Sequence, residues 1–297
     1  MRQPPREREV SVVSTDGSRI HTEIHGDAGR PTVVLAHGWT CSTRFWAAQL
    51  ADLATDHRVI VYDQRGHGRS PLAGPGGYST DALADDLEAV LTTTLEPGEK
   101  AVLAGHSMGG MTLMAAARRP AFREHAAAAL LCSTGSSRLA AEASVVPIRP
   151  GRLRTGITLG ILGTRAPLGP VTPVSKRILR YATMGTGAAP DRVERCARIV
   201  HACPPPARVG WGNVLGELDL DAEVRELTVP TAVLVGTDDR LTPAVMSREL
   251  AAALPALVRL DVLTGVGHMS PVEAPEFVTA RIRELAAAYA GGREGAA

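Results

Sequence analysis

A serine flanked by glycines is the first feature of this 297-residue chain whose residue types and spacing could do chemistry. Ser107 lies at the centre of Gly105–Gly109, GHSMG, between the apolar run AVLA and an alanine-rich helical pattern. In a Gly-x-Ser-x-Gly turn between a strand and a helix, the strained serine backbone holds Oγ out into a cleft. The two glycines leave no Cβ where the strand and helix backbones meet. Ser107 is therefore predicted to be a nucleophile.

The base that such a serine needs is predicted to be His268. A hydroxyl becomes nucleophilic when an imidazole accepts its proton and a carboxylate orients that imidazole. His268 lies in the late loop GVGHMSP, after the last predicted strand. Glycine-bounded turns, which favour packing or hydrogen-bonding roles, contain His37, His67 and His106. The His106 side chain is predicted to point away from Ser107 Oγ. The other histidines have no supporting context and are interpreted as ordinary surface or core residues: His21, His25, His57, His125 and His201.

The carboxylate is expected in the loop that follows the apolar run Val229–Gly236. This loop contains both Asp238 and Asp239, and spacing alone does not separate them. The loop after the preceding strand, Ser133–Ser137, has no carboxylate, and the first acid beyond it is Glu142. The resulting chain order of Ser, Asp and His differs from the orders found in the serine-protease folds.

The elements that must position these residues alternate between strands and helices. Strands are predicted at Val10–Val13, Arg19–His25, Thr32–Ala36, Arg58–Tyr62, Ala101–Gly105, Ala126–Cys132, Val229–Gly236 and Leu257–Leu263. Helices are predicted at Thr43–Thr55, Ser79–Leu95, Met108–Arg119, Pro243–Leu254 and Ala274–Ala290. After an antiparallel hairpin, this alternation predicts an α/β fold in which helices cover both faces of a mostly parallel sheet. Ligands of such sheets bind outside the carboxyl ends of the strands, where every candidate catalytic residue falls.

A long segment from Ser136 to about Gly210 interrupts the alternation. It has no strand pattern, and glycines, prolines and arginines separate its short helical pieces. We therefore expect residues 1–135 and 211–297 to form the core domain and residues 136–210 to form a helical cap. Residues 291–297, GGREGAA, are expected to be a disordered tail. Pro120 is expected to end the helix that follows the serine.

Four motifs in order make the chain similar to the α/β-hydrolases, over essentially its whole length. They are HGW at 37–39, DQRGHGRS at 63–70, GHSMGG at 105–110, and the pair GTDDRLTP at 236–243 with GVGHMSPVEAPEF at 265–277. The resemblance implies an eight-stranded sheet, a serine nucleophile of the esterase or lipase type, and a cap over the serine.

The resemblance also assigns roles to individual residues. In similar family members the acid lies three residues after the glycine and four before the proline of the GTDDRLTP motif. That spacing selects Asp239 and leaves Asp238 as a loop or capping residue. The oxyanion donors of the family correspond to the backbone N–H groups of Trp39 and Met108. Structural residues that tie neighbouring active-site loops together are expected at Asp63, Arg65 and His67.

The resemblance narrows the chemistry further. Relatives that dehalogenate alkanes or open epoxides typically have aspartate as the nucleophile, whereas this chain has Ser107. Cofactor-independent perhydrolases usually have proline where Thr40 stands, so perhydrolysis is not expected as the main role. The predicted reaction is hydrolysis of a carboxylic ester through an acyl-enzyme, with no cofactor and no metal. The alternatives are a thioesterase, lactonase or cyclase acting on a biosynthetic intermediate, and a non-catalytic ligand-binding protein.

Composition gives no reason to expect a nucleic-acid or membrane partner for the whole chain. The 32 basic residues balance the 31 acidic residues, and no segment has the apolar length of a spanning helix. The first residues, MRQPPREREV, lack the apolar run of a signal peptide. Four cysteines without metal spacing predict a cytoplasmic protein with free thiols. Pairing of Cys196 with Cys203 is the alternative to two small apolar residues on one helix.

Positive charge is concentrated in the predicted cap. Residues 138–208 hold twelve Lys or Arg and three acidic residues. A solvated arginine-rich face is the favoured interpretation, and docking of an anionic substrate or an acidic carrier protein is the alternative. The apolar stretch 156–163, GITLGILG, is expected to pack the cap onto the core rather than to line an acyl pocket or touch lipid. Trp211, Met108, Met111 and Met269 are candidates for the border of the cleft.

Overall fold

A computed structural model describes residues 7–290 as an eight-stranded sheet with helices on both faces. The strands are β1 (Glu7–Val13), β2 (Arg19–His25), β3 (Thr32–Ala36), β4 (Arg58–Tyr62), β5 (Ala101–His106), β6 (Ala126–Cys132), β7 (Thr231–Gly236) and β8 (Leu257–Leu263). They lie in the order β1-β2-β4-β3-β5-β6-β7-β8. The pairs β1–β2 and β2–β4 are antiparallel, and every other neighbouring pair is parallel. The predicted α/β class and mostly parallel sheet are confirmed.

Helices cover both faces of this sheet. The core helices are α1 (Ala47–Leu53), α2 (Thr80–Thr94), α3 (Met108–Ala115), α4 (Pro120–His125), α10 (Asp221–Val224), α11 (Ala244–Ala253), α12 (Ser270–Glu273) and α13 (Pro275–Leu285). One apolar layer contains residues of α2, α3 and α11, and the opposite layer contains residues of α1 and α13. The central strands β3, β5 and β7 are buried along their whole length, because helices cover them on both sides.

The helices begin and end close to the predicted residues, apart from short turns beside α1 and α13 and the early end of α3. Ser79 caps α2, because its Oγ accepts the Ala82 N–H at 3.0 Å. A 3-10 turn at Thr43–Trp46 precedes α1, and a π turn at Ala286–Ala290 follows α13. The prediction for Pro120 was wrong in part: α3 has already ended at Ala115, and Pro120 starts α4. Proline is compatible with a first helical position because the missing N–H has no intrahelical partner there.

A helical insertion joins β6 to β7 and lies over the carboxyl ends of the strands. Its helices are α5 (Leu139–Glu142), α6 (Arg152–Leu162), α7 (Pro173–Thr183), α8 (Pro190–His201) and α9 (Pro205–Gly216). The two ends of the insertion meet where the Leu220 N–H donates to the Ser136 carbonyl at 2.8 Å. The boundary predicted at residue 210 therefore falls inside α9, and the division of the chain into a core and a cap domain stays a prediction. The predicted tail, 291–297, lies outside the described residues.

Candidate active site

Ser107 lies at the sharp turn between β5 and α3. Its backbone has φ 52° and ψ −117°, which is a strained conformation for any residue other than glycine. Hydrogen bonds hold this turn in place: the Ser107 N–H donates to the Cys132 carbonyl at 2.9 Å, and the Thr134 hydroxyl donates to the Ser107 carbonyl at 2.8 Å. The strain is therefore supported by the neighbouring strand β6 and the loop after it.

The two glycines of the turn are required by close backbone approach. A Cβ at Gly105 would overlap the backbone of Gly109, and a Cβ at Gly109 would overlap the carbonyl of Ala36 at the end of β3. This is the tight strand–helix packing that the sequence motif predicts. It brings Ser107 beside the loop that follows β3.

His268 is held by Asp239. Its Nδ1 lies 3.0 Å from Asp239 Oδ2 and 3.1 Å from Oδ1, and both residues are buried. Because a carboxylate only accepts, Nδ1 carries a proton in this contact, which leaves Nε2 as the nitrogen that could accept one. Asp239 also accepts from the Leu241 N–H at 2.9 Å and the Thr242 N–H at 2.8 Å, so its carboxylate is fixed from two sides.

The two neighbouring aspartates, Asp238 and Asp239, make different contacts in the structure. The Asp238 side chain is half-buried and accepts the Thr237 hydroxyl at 3.2 Å and the Thr186 N–H of the insertion at 3.4 Å. It makes no hydrogen bond with His268 in the described part of the chain. Asp238 is therefore a loop residue in this structure, whereas Asp239 is the carboxylate that contacts the imidazole.

Ser107 and His268 border one cavity of about 370 Å³ between the core and the insertion. Among residues 7–290, Ser107 Oγ has no hydrogen bond with His268, and active-site contacts often tighten only when substrate binds. Aliphatic residues of the insertion form much of the cavity wall, including Ile161, Leu179 and Val200. None of the residues that line the cavity is an aspartate or a glutamate. The site therefore offers an apolar chamber next to a serine and an imidazole.

Trp39 and Met108 each have a backbone N–H that donates to no atom within residues 7–290. Met108 is the first residue of α3, where free N–H groups and the positive end of the helix dipole coincide. The Trp39 indole Nε1 donates to the Arg208 carbonyl at 3.0 Å, which ties this loop to α9. The next residue, Thr40, has φ 62°, and its N–H donates to His67 Nε2 at 3.1 Å.

Three residues of the loop after β4 were predicted to connect neighbouring loops. The Asp63 carboxylate accepts the Thr43 N–H at 2.7 Å and the Arg69 N–H at 2.9 Å, while burial raises its pKa. Arg65 forms a buried ion pair with Asp86, with Nη2 2.5 Å from Oδ1. His67 supports the Thr40 turn. These contacts join the loop to α2 and to the loop after β3.

His106, which the sequence placed in a packing role, contacts the candidate base directly. Its ring stacks on Phe45 at 4.5 Å between ring centroids, and Nε2 lies 2.8 Å from the His268 carbonyl oxygen. A carbonyl only accepts, so Nε2 carries the proton and Nδ1 is a buried acceptor without a partner in residues 7–290. Burial, with the nearby His268 as a smaller cause, lowers the His106 pKa well below its ordinary value. A neutral ring therefore anchors the His268 backbone.

Sequence reasoning missed two basic residues that line the cavity, His201 at the end of α8 and Arg208 in α9. Arg208 is buried, and one of its terminal nitrogens donates to the carbonyls of Thr164 and Ala166. Of the predicted cleft residues, Met111 and Met269 line the cavity, whereas Met108 is fully buried and is not part of the lining. Trp211 instead lies in the core, where its Nε1 donates to the Arg65 carbonyl at 3.0 Å. A buried Arg in an apolar helix gives no periodic signal that distinguishes it from a solvated one.

Three further features of the described chain concern metal ligands, membrane helices and thiols. In residues 7–290, no three His, Cys, Asp or Glu side chains lie together as metal ligands would, and no helix is long and apolar enough to cross a bilayer. Cys41, Cys132, Cys196 and Cys203 are buried free thiols. Burial raises the pKa of Cys196 and of Cys203 to about 12, so both are unreactive.

Comparison with known proteins agrees with this fold. The model of the alpha/beta hydrolase family matches residues 33–281, which is most of the chain. The chain belongs to this family. Within the alpha/beta hydrolases, it is 33% identical over 279 residues to a protein of Variovorax paradoxus assigned as the carbamate hydrolase RutD. The match covers 92% of this chain and 98% of that protein.

Solved structures that are similar to this chain include an esterase and an enol-lactonase. A thermophilic esterase from Thermogutta terrifontis has a TM-score of 0.72 and 27% identity, covering 94% of this chain and 97% of that one. The enol-lactonase from Burkholderia xenovorans has a TM-score of 0.71 and 25% identity, covering 94% and 99%. The family includes different hydrolytic reactions, so membership establishes a hydrolase fold and leaves the substrate open.

Proposed function

We propose that this chain is a serine hydrolase that cleaves carboxylic esters through an acyl-enzyme intermediate. Ser107 is the proposed nucleophile, His268 the base, and Asp239 the carboxylate that orients it. The backbone N–H groups of Trp39 and Met108 are the proposed oxyanion donors. The observation that carries the proposal is the meeting of a strained serine and a carboxylate-bound imidazole at one apolar cavity.

The chemistry follows from these positions. Ser107 Oγ attacks the ester carbonyl carbon while His268 Nε2 accepts the hydroxyl proton, and the carbonyl oxygen becomes an oxyanion. Each preorganised N–H donor in such a site contributes about 3–4 kcal/mol to the transition state. The oxyanion then re-forms the carbonyl, the ester C–O bond breaks, and the protonated imidazole donates its proton to the leaving alcohol. Water, deprotonated by His268, attacks the acyl-enzyme; the bond between the acyl carbon and Ser107 Oγ breaks, His268 returns the proton to Oγ, and the carboxylic acid leaves.

The cavity supports an ester with an apolar acyl or alcohol group. A volume of about 370 Å³ with mainly apolar walls is in the range of small-molecule sites. Transfer of a hydrocarbon group from water into such a chamber contributes about 0.8 kcal/mol per buried CH₂. We therefore expect kcat/KM to rise as an acyl chain is lengthened from acetyl toward hexanoyl.

Ser107→Ala tests the proposed nucleophile. The variant should lose turnover of p-nitrophenyl butyrate and covalent labelling by a fluorophosphonate, because alanine has no Oγ. Ser11→Ala is the matched control, since Ser11 is an exposed serine on β1, and it should keep both. Labelling of the Ser107→Ala variant at wild-type level would disprove the assignment.

Carbamate hydrolysis is the second candidate, because the relative at 33% identity carries that assignment. The same nucleophile and oxyanion donors would act on the carbonyl group of an ester or of a carbamate. A panel of substrates that share one acyl or alcohol group distinguishes these reactions. The panel contains an oxygen ester, a thioester, a lactone and a carbamate, and kcat/KM is measured for each. The proposal of a carboxylic-ester hydrolase expects the highest kcat/KM for the oxygen ester. Absence of turnover throughout, together with tight binding of an ester analogue, would instead support a non-catalytic binding protein.

A further inference from the structure

The outer side of the insertion carries apolar residues where a solvated helix would be polar. On α6, Leu153, Ile157 and Ile161 recur every four residues and are 72%, 41% and 50% exposed. Arg154 and Thr158 lie on the inner side of the same helix and are buried. This burial is the reverse of the usual amphipathic arrangement. The expected packing of GITLGILG onto the core was therefore wrong, because most of its aliphatic side chains face solvent.

The neighbouring helix α7 repeats the pattern. Val174, Ile178 and Tyr181 form one stripe and are 68%, 63% and 44% exposed. We call the exposed stripes of α6 and α7, with Leu168 between them, the cap face. More than half of the exposed large apolar residues in the described chain lie between residues 148 and 181. Scattered exposed apolar residues are ordinary, but a concentration of this kind marks an interaction surface.

The active-site cavity opens in this cap face. Ile161, Leu168 and Ile178 line the cavity and are also 50%, 42% and 63% exposed. A residue that borders both the cavity and the solvent marks the mouth. Both helical stripes therefore lead to the entrance of the chamber that contains Ser107.

The positive charge around the cap face indicates which kind of partner this surface can bind. Residues 143–190 contain seven Lys or Arg and no Asp or Glu. Arg152, Arg165 and Arg177 are exposed and form no ion pair within residues 7–290. A second copy of the chain would bring like charges together, and a nucleic acid would leave protruding aliphatic groups without an apolar partner. An anionic lipid surface satisfies both features, since phosphates lie above hydrocarbon.

We propose that the cap face binds the surface of an anionic lipid bilayer. Leu153, Val174 and Ile178 enter the boundary between head groups and acyl chains, while Arg152 and Arg177 contact the phosphates. The mouth of the cavity then faces the lipid. Binding of the cap face to lipid does not require the hydrolytic activity. The consequence that an apolar ester passes from the bilayer to Ser107 without crossing water rests on the proposed function.

Vesicle co-sedimentation tests the proposal with two double variants outside the catalytic residues. Wild type should bind vesicles of phosphatidylcholine and phosphatidylglycerol in a 7:3 ratio at least tenfold more tightly than pure phosphatidylcholine. L153D/V174D should lose binding to both, and neither residue lines the cavity. R152Q/R177Q should weaken binding to the anionic vesicles roughly thirty-fold, since each basic residue contributes on the order of fivefold.

Matched controls use exposed residues that do not belong to the cap face. Val13→Asp, at 59% exposure on β1, and the double variant R19Q/R44Q should bind as wild type does. Ser107→Ala should also bind vesicles normally, which separates this proposal from the proposed hydrolysis. Wild type that fails to bind anionic vesicles would overturn the inference, as would cap-face variants that bind normally. A dimer that only L153D/V174D disperses, or an acidic carrier protein bound in place of vesicles, would equally overturn it.

Discussion

The Nε2–H of His106 donates to the backbone carbonyl oxygen of His268 at 2.8 Å, so the residue before the proposed nucleophile supports the proposed base. The two rings lie 4.9 Å apart between centroids. Within residues 7–290, His106 forms no hydrogen bond with the serine hydroxyl, and its side chain points toward the loop that contains His268. The motif GHSMG therefore contributes both a proposed nucleophile and a contact that positions its partner.

Replacing His106 should lower turnover through the position of His268. His106→Phe keeps a ring against Phe45 but removes the Nε2 donor, and we expect kcat on p-nitrophenyl butyrate to fall about tenfold with little change in KM. His106→Gln restores a side-chain N–H and should recover part of the loss. His125→Phe is the control, because His125 also donates to a backbone carbonyl, that of Glu99, away from the cavity. Equal losses in the Phe and Gln variants would contradict the positioning role.

The two neighbouring aspartates should differ sharply in their effect on activity. Asp239→Asn removes the carboxylate that orients His268, and we expect kcat to fall by about three to four orders of magnitude. Asp238→Asn should change kcat less than threefold, since Asp238 contacts only loop and insertion atoms. Stopped-flow or steady-state ester hydrolysis at neutral pH measures both. A large loss in the Asp238 variant alone would reverse the assignment.

A methyl group at the serine turn should destabilise the fold. Gly109→Ala forces a Cβ against the Ala36 carbonyl, and we expect the free energy of unfolding to fall by about 2–3 kcal/mol, with reduced activity. Gly160→Ala, on the open side of α6, has no atom within 4 Å of the added Cβ and should raise the free energy of unfolding by up to about 1 kcal/mol. Urea denaturation of the two variants measures the contrast. Similar stability of both would show that the turn relaxes.

Two buried histidines should make the protein less stable as the pH falls below 6.5. Burial lowers the pKa of His37 to about 4 and that of His67 to about 3. His37 Nε2 accepts the Gln64 N–H, and His67 Nε2 accepts the Thr40 N–H. Protonation of either Nε2 would therefore remove a hydrogen bond. Between these values and 6.5 the unfolded chain binds protons that the folded chain does not, so the free energy of unfolding decreases as pH decreases.

The expected loss between pH 7 and pH 5 is about 2 kcal/mol for each histidine, from about 1.4 kcal/mol per pKa unit. Urea denaturation at pH 7, 6 and 5 measures it. His67→Asn removes one of the two groups. From pH 7 to pH 5, the free energy of unfolding of wild type should therefore fall by about 2 kcal/mol more than that of the variant. An identical pH dependence in the variant and the wild type would refute the contribution of His67.

The sequence by itself determined the order of strands and helices and the place of Ser107. Continuous apolar runs such as TVVLA and TAVLVG indicate strands covered on both faces, and glycines around the serine indicate a tight turn. These signals are local, because burial and backbone conformation are encoded within a few residues. Helix limits were less certain, as the early end of α3 at Ala115 shows, since loop and tertiary contacts compete with propensity there.

Only the tertiary structure decided which distant residues meet. Asp238 and Asp239 are equivalent by composition, and family resemblance rather than spacing preferred one. The contact with His268, 29 positions along the chain, exists because β7 and β8 end side by side. The outward apolar stripe of α6 was likewise hidden, because periodicity shows that a helix has two faces and not which face meets the core. That choice depends on the packing of the insertion over the sheet.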